Sequence, residues 1–117
     1  MSNFVNDYEL VIVLKPLLPD DVRKAIHKGI MELATSNGGS VEDTDVWGKR
    51  YLAYNIKGHN EGYYIVYGLK LDPASIMEIR RQLELKQEIL RYMLVKIEHK
   101  EELGQAFKKK EISVDEA

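Results

Sequence analysis

Residues 45–67 read DVWGKRYLAYNIKGHNEGYYIVY and bring one Trp, the Lys49-Arg50 pair and five tyrosines into a single segment. Cations beside flat aromatic rings grip phosphates and stack on exposed bases, and a stacked base contributes about 1–3 kcal/mol in single-strand binders. Arg91 and Lys96 flank a second apolar run, ILRYMLVKI, at 89–97. The chemistry these residues offer is recognition, not bond making. Taken one at a time, each is an ordinary cation at a strand edge, where charge also discourages edge-to-edge pairing.

Groups for bond making are missing. His27 sits off the apolar stripe of a helix, His59 is read in a turn and His99 in a tail, and no two have metal-ligand spacing, so each is expected to be a solvated surface histidine. There is no Gly-rich phosphate loop, nucleophile elbow or zincin motif. The absence of Cys excludes disulfides, thiolate metal sites and a thiol nucleophile. The expectation is a non-enzyme without cofactor, metal or small-molecule substrate.

Six elements must position these side chains. YELVIVL (8–14) is a strand stopped by Lys15-Pro16. From Pro19, the residues Val22, Ile26, Gly29, Ile30 and Leu33 recur at helical spacing, Asp20 and Asp21 suit the helix start, and Asn37-Gly38-Gly39 ends the helix. An extended region follows over 41–56 with a bulge or bend at Gly48, and KGHNEG (57–62) turns the chain into a strand at 63–71. Asp72-Pro73 opens a second helix with Ile76, Ile79 and Leu83 on its buried stripe, and 89–97 is the last strand. Strand, helix, strand, strand, helix, strand is the order of the α+β, ferredoxin-like split βαβ fold, a four-stranded antiparallel sheet with both helices on one face. One such domain, 1–98, is expected, followed by a charged tail, 99–117, that is disordered or orders only on a partner.

The 117 residues carry 17 Lys and Arg against 19 Asp and Glu, a formal charge of -2, so the molecule as a whole has no field that draws it to polyanions. Nucleic-acid contact requires a local patch or a more basic partner. No apolar run approaches the roughly 20 residues that span a bilayer, and no secretory signal is legible, so a soluble cytoplasmic protein is expected. In the strands at 8–14, 63–71 and 89–97 both side-chain parities are largely apolar. One parity packs on the helices, and the other is expected to form an apolar patch of several hundred Å², about the size at which a patch marks an interface.

WGKRYLAY (47–54), EGYY (61–64) and LRYMLV (90–95), with YELVIVLKPLLP before them, closely resemble the ribosomal protein S-six family of the bacterial small subunit, over about Tyr8 to Lys96. The family's LAYP segment has Pro where this chain has Asn55, and often a basic residue where it has Tyr51. The resemblance implies a structural protein of the ribosome that binds the central domain of 16S rRNA together with a small basic partner, ribosomal protein S-eighteen, among other small-subunit proteins. It implies RNA contact through Tyr8, Lys49, Arg50, Tyr54, Arg91 and Lys96, and a protein interface at Val11, Trp47, Tyr63, Ile65 and Tyr67. A basic partner would supply the cations that this chain lacks. The competing readings are an RRM-like reader of single-stranded RNA, an acylphosphatase-like enzyme, whose Gly-rich anion loop is missing, and a homodimeric regulatory domain that binds a small molecule.

Overall fold

The computed structural model describes residues 5–97. The expected tail at 99–117, His99 included, lies outside them. The elements run β1 (Asn6–Leu14), α1 (Asp20–Ser36), β2 (Ser40–Ile56), β3 (His59–Leu71), α2 (Ile76–Glu84) and β4 (Ile89–Ile97). The strands form one antiparallel sheet in the order β2-β3-β1-β4. Both helices pack on one face of it, as the split βαβ order requires.

The helix-side core follows from strand alternation. Tyr8, Leu10, Ile12 and Leu14 of β1, Ile65, Tyr67, Leu69 and Leu71 of β3, and Ile89 and Leu94 of β4 point one way, onto Ile26, Ile30 and Ala34 of α1 and Ile79 and Leu83 of α2. Fully burying one such side chain contributes about 1.5–3 kcal/mol, so this layer dominates the fold's stability. The start of α1 has no side-chain cap. Instead, the Pro19 carbonyl accepts from the Val22 and Arg23 amides, and Arg23 reaches back to the Leu18 carbonyl and to Asp20. Ahead of α2, the Asp72 carboxylate accepts from the Ala74 amide at 2.9 Å and Pro73 opens the short 3-10 turn Pro73–Ser75.

Two expectations about local structure change. The turn at 57–62 shrinks to Lys57-Gly58, both at positive φ (51° and 84°), a two-residue connection whose twist matches paired strands. His59 is therefore the first residue of β3, paired with Ile56. His27 is only partly solvated: its Nδ1 lies 3.0 Å from the Tyr67 hydroxyl and its ring stacks at 5.7 Å on that of Tyr67.

Candidate functional site

The face of the sheet away from the helices carries the side chains that could meet a partner. Pairing arranges them in rows. Asp43, Gly68, Glu9 and Val95 form one row across all four strands, Asp45, Val66, Val11 and Met93 the next, and Gly48, Tyr64, Val13 and Arg91 the third. Arg50 lies one row further, opposite Gly62. Successive rows are about 6.7 Å apart, two residues of strand.

This face is less bare than the sequence led us to expect. Val11, Val13, Leu52, Tyr64, Val66 and Leu90 are all buried and form a second apolar cluster, with Trp47, Ile56, Met93, Val95 and Ile97 packed against it. Two glycines make that packing possible. Gly48 adopts φ 82° where the pairing of β2 with β3 shifts register, a bulge that bends the strand and re-aims the residues beside it. At Gly62 a Cβ would collide with Val13 Cγ1, so the missing side chain lets Val13 and Leu52 close the cluster. Trp47 stacks on Tyr64 at 6.1 Å and 16°, donates from Nε1 to Asp45 Oδ2 at 3.0 Å, and carries the Arg50 guanidinium 5.6 Å from its ring centroid. Self-burial thus replaces most of the expected patch. Large apolar side chains exposed on β2 are Val46, Tyr51 and Tyr54.

Charge on this face is polarised. Arg50 and Arg91 stand on the two outer strands at one end, where Arg91 is half-buried and its Nη1 has no hydrogen-bond partner. Glu9, Asp43 and Asp45 occupy the other end. Glu9 is only 6% exposed and its Oε1 has no partner. Burial first, then the charges of Asp43 and Asp45, push its carboxyl up from 4.5 to about 8. The next row outward holds Asp7 and Lys70, already paired with each other at 3.0 Å.

The residues expected to contact RNA do not assemble into one patch. Arg50 and Arg91 share the second face. Lys49 and Lys96, one and five positions away from them, point to the helix side by strand alternation, and Lys49 pairs with Glu61 at 3.9 Å. Tyr54 is exposed, toward the tip of the β2–β3 hairpin. Tyr8 is a correction: its ring lies in the helix-side core, 7% exposed.

Of the expected protein-interface residues, Val11 and Trp47 lie on the second face, Val11 almost fully covered. Tyr63, Ile65 and Tyr67 have the opposite parity and face the helices. Ile65 and Tyr67 are core residues, Ile65 showing only its edge in a helix-side cleft and Tyr67 with no exposed surface. Tyr63 is half-buried beneath the Arg23 guanidinium, which lies 4.6 Å from its ring centroid. With Asp20, His27, Thr44 and Val46 it lines a shallow helix-side cleft of about 280 Å³. The residues that sequence reasoning missed are Tyr64, which the burial of its ring under Trp47 withdraws from base stacking, and Glu9. The signal for Glu9 was present, a lone acid in an apolar run at the parity of Val11 and Val13. Among the described residues no group of three or more His, Asp or Glu is arranged to hold a metal ion, and no helix is long and apolar enough to cross a membrane.

The fold recurs in proteins of different kinds. The crystal structure of the 30S ribosomal protein S6 from Thermotoga maritima superposes with a TM-score of 0.76 at 22% identity, covering 92% of this chain and 98% of that one. The C-terminal domain of the MgtC protein from Mycobacterium tuberculosis superposes at 0.57 and 13% identity, covering 85% and 95%, a likeness of fold alone. Sequence discriminates between them. The chain is 37% identical over 94 residues to the small ribosomal subunit protein bS6 of Dictyoglomus turgidum, spanning 80% of this chain and 97% of the relative. It is 40% identical over 84 residues to that of Mycolicibacterium paratuberculosis, spanning 72% and 88%. The family model described as ribosomal protein S6 matches residues 7–96, from the second residue of β1 to the penultimate residue of β4. Every row of the second face therefore falls within the matched span, and the chain belongs to the ribosomal protein S6 family, a non-enzymatic family of the small ribosomal subunit.

Proposed function

We propose that the chain is a scaffold of the small ribosomal subunit, in the cytoplasm, that binds the central domain of 16S rRNA together with ribosomal protein S-eighteen and helps order that region during assembly. The observation that carries this reading is the polarised second face, with Arg50 and Arg91 at one end and an apolar middle. Two arginines on opposite margins of this face can each meet a phosphate. Two phosphate contacts are few for a tight RNA complex, and the net charge of -2 gives no long-range help. A basic partner that adds its own cations makes the composite surface adequate. The membership in a small-subunit family supports the same conclusion.

Binding of the purified chain to a 16S central-domain fragment, with and without the partner and across a salt series, tests it. Tight, salt-sensitive binding only with the partner is expected. Arg50→Ala and Arg91→Ala should each reduce the log-log salt slope by about one unit, the contribution of one phosphate contact. Tight binding by the chain alone would replace the scaffold by a direct RNA reader, and an unchanged slope in either variant would remove that arginine from the RNA surface.

A further inference from the structure

Among the asparagines of this chain, Asn37 alone is followed by glycine. That pair is reactive by itself. The backbone nitrogen of the following residue can attack the asparagine side-chain carbonyl carbon, and a glycine has no Cβ to hinder the approach. At the end of α1 both reacting groups are engaged. Asn37 caps the helix, and its Nδ2 donates to the Leu33 carbonyl at 2.8 Å. The Gly38 amide, whose nitrogen would be the nucleophile, donates to the Thr35 carbonyl at 3.1 Å, and the Gly39 amide donates to the Ala34 carbonyl at 2.9 Å. With Gly38 at φ 81° these bonds form the left-handed stop of the helix. Asn37 has ψ 19°, which turns the Gly38 nitrogen away from the Asn37 side chain, whereas closing a five-membered ring needs the two eclipsed. Gly38 itself is exposed, with open space where a side chain would stand, so water reaches the pair once these bonds break.

We infer that Asn37 is a deamidation site that the end of α1 keeps latent, that it reacts when the last turn of α1 opens, and that the product holds that end less well. The Gly38 N–H gives its proton to a solvent base as the nitrogen bonds to Asn37 Cγ. The bond from Cγ to Nδ2 breaks, and the side-chain amide leaves as ammonia with a proton from water. Water then opens the resulting succinimide at either carbonyl and leaves aspartate or isoaspartate at position 37. The aspartate lacks the donor to Leu33 and sets a negative charge at the carbonyl end of the helix dipole, where the last turn of α1 carries no basic residue to offset it. Isoaspartate lengthens the main chain by one carbon just before Gly39. There a Cβ would already collide with the Lys70 carbonyl, and Ser40 opens β2 opposite Lys70. Either product disturbs the corner that joins α1 to the edge strand.

The full chain, held at neutral pH in buffer and in urea, then digested and resolved by mass spectrometry, gives the deamidation rate at each asparagine. Exchange of the Gly38 amide hydrogen, followed by NMR in buffer, gives the protection of the nucleophile. In urea Asn37 should react faster than the other asparagines. In buffer it should react about tenfold or more slowly, and by about the factor that slows the Gly38 amide, because both events need that N–H freed from Thr35. Equal rates in buffer and in urea, or no preference for Asn37 in urea, would overturn the inference. So would a slowing that exceeds the amide protection by more than about tenfold, since the reaction would then wait for the whole domain to unfold and not for the end of α1. Asn37→Asp makes the first product directly and should raise the unfolding equilibrium constant about tenfold in urea titration, from one lost hydrogen bond and one misplaced charge. A variant as stable as the parent chain would overturn the link between the modification and the fold.

Discussion

Glu9 couples the fold to pH in a direction opposite to that of most carboxylates. An acid whose folded-state value is pushed up from 4.5 to about 8 holds its proton more tightly in the fold than in the unfolded chain. The stability it permits is full below about pH 4.5 and drains as pH rises toward 8. Integrating those two values from pH 5 to pH 8 gives a loss of at most about 3.5 kcal/mol, at 1.36 kcal/mol per unit. Local rearrangement and water entry around the ionised group reduce this to about 2 kcal/mol. Glu9→Gln removes the titrating proton and keeps the volume, so the variant should show a nearly flat stability over this window and exceed the parent chain at pH 8. Urea unfolding at pH 5, 6, 7 and 8, followed by the circular dichroism of the sheet, measures both curves. An identical pH slope in parent and variant would refute the reasoning, because it would mean that Glu9 ionises in the fold as it does in water.

Other consequences are open to equally direct measurement. Gly62→Ala forces a Cβ into Val13 in the second cluster and should cost about 1–3 kcal/mol in urea unfolding, whereas a neutral result would show that β1 can yield there. Tyr67 has its phenol pushed up from 10 to about 12 by burial, so a spectrophotometric titration should show a tyrosine ionising near 12 that Tyr67→Phe removes. The stability it supports is lost as pH climbs from 10 through 12, and Tyr67→Phe should remove that loss at the cost of about 1 kcal/mol for the bond to His27.

Much of the architecture was legible because each element has its own punctuation. β4 occupies 89–97 as its composition suggests, Asp72-Pro73 opens the second helical segment, and Gly48 marks the bulge it was read to mark. The tip of the hairpin was misread because His59, Asn60, Glu61 and Gly62 look like loop, while the pairing of β2 with β3 continues through them to Lys57-Gly58. The site was harder to read for a different reason. Alternation tells which residues share a face, but when both sets are apolar it does not tell which face the helices take. Tyr63, Ile65 and Tyr67 were placed at an interface by resemblance, with nothing in the alternation to oppose it, and the register with Leu10, Ile12 and Leu14 turns them inward. The same one-residue logic separates Lys49 from Arg50. Charges adjacent in sequence, or flanking the same strand, read as one patch only when the pleat is ignored.

The strand order has a consequence for how this chain is made. β1 lies in the middle of the sheet, and its partners are β3, with Asn6 opposite Leu71, and β4, with Asp7 opposite Ile97. Neither partner has been synthesised when β1 is complete. At roughly 5–20 residues per second, the first of the strands to appear waits on the order of ten seconds for the last. Throughout that interval YELVIVL is a short apolar segment with both hydrogen-bonding edges open, the kind of sequence that pairs with itself in other chains. Glu9 is the one charge inside it. While the segment is exposed to water that carboxylate is ionised and sets like charge against like between neighbouring copies, and it becomes neutral only when the finished sheet encloses it. The residue that weakens the folded protein above neutral pH is therefore the one that protects the growing chain.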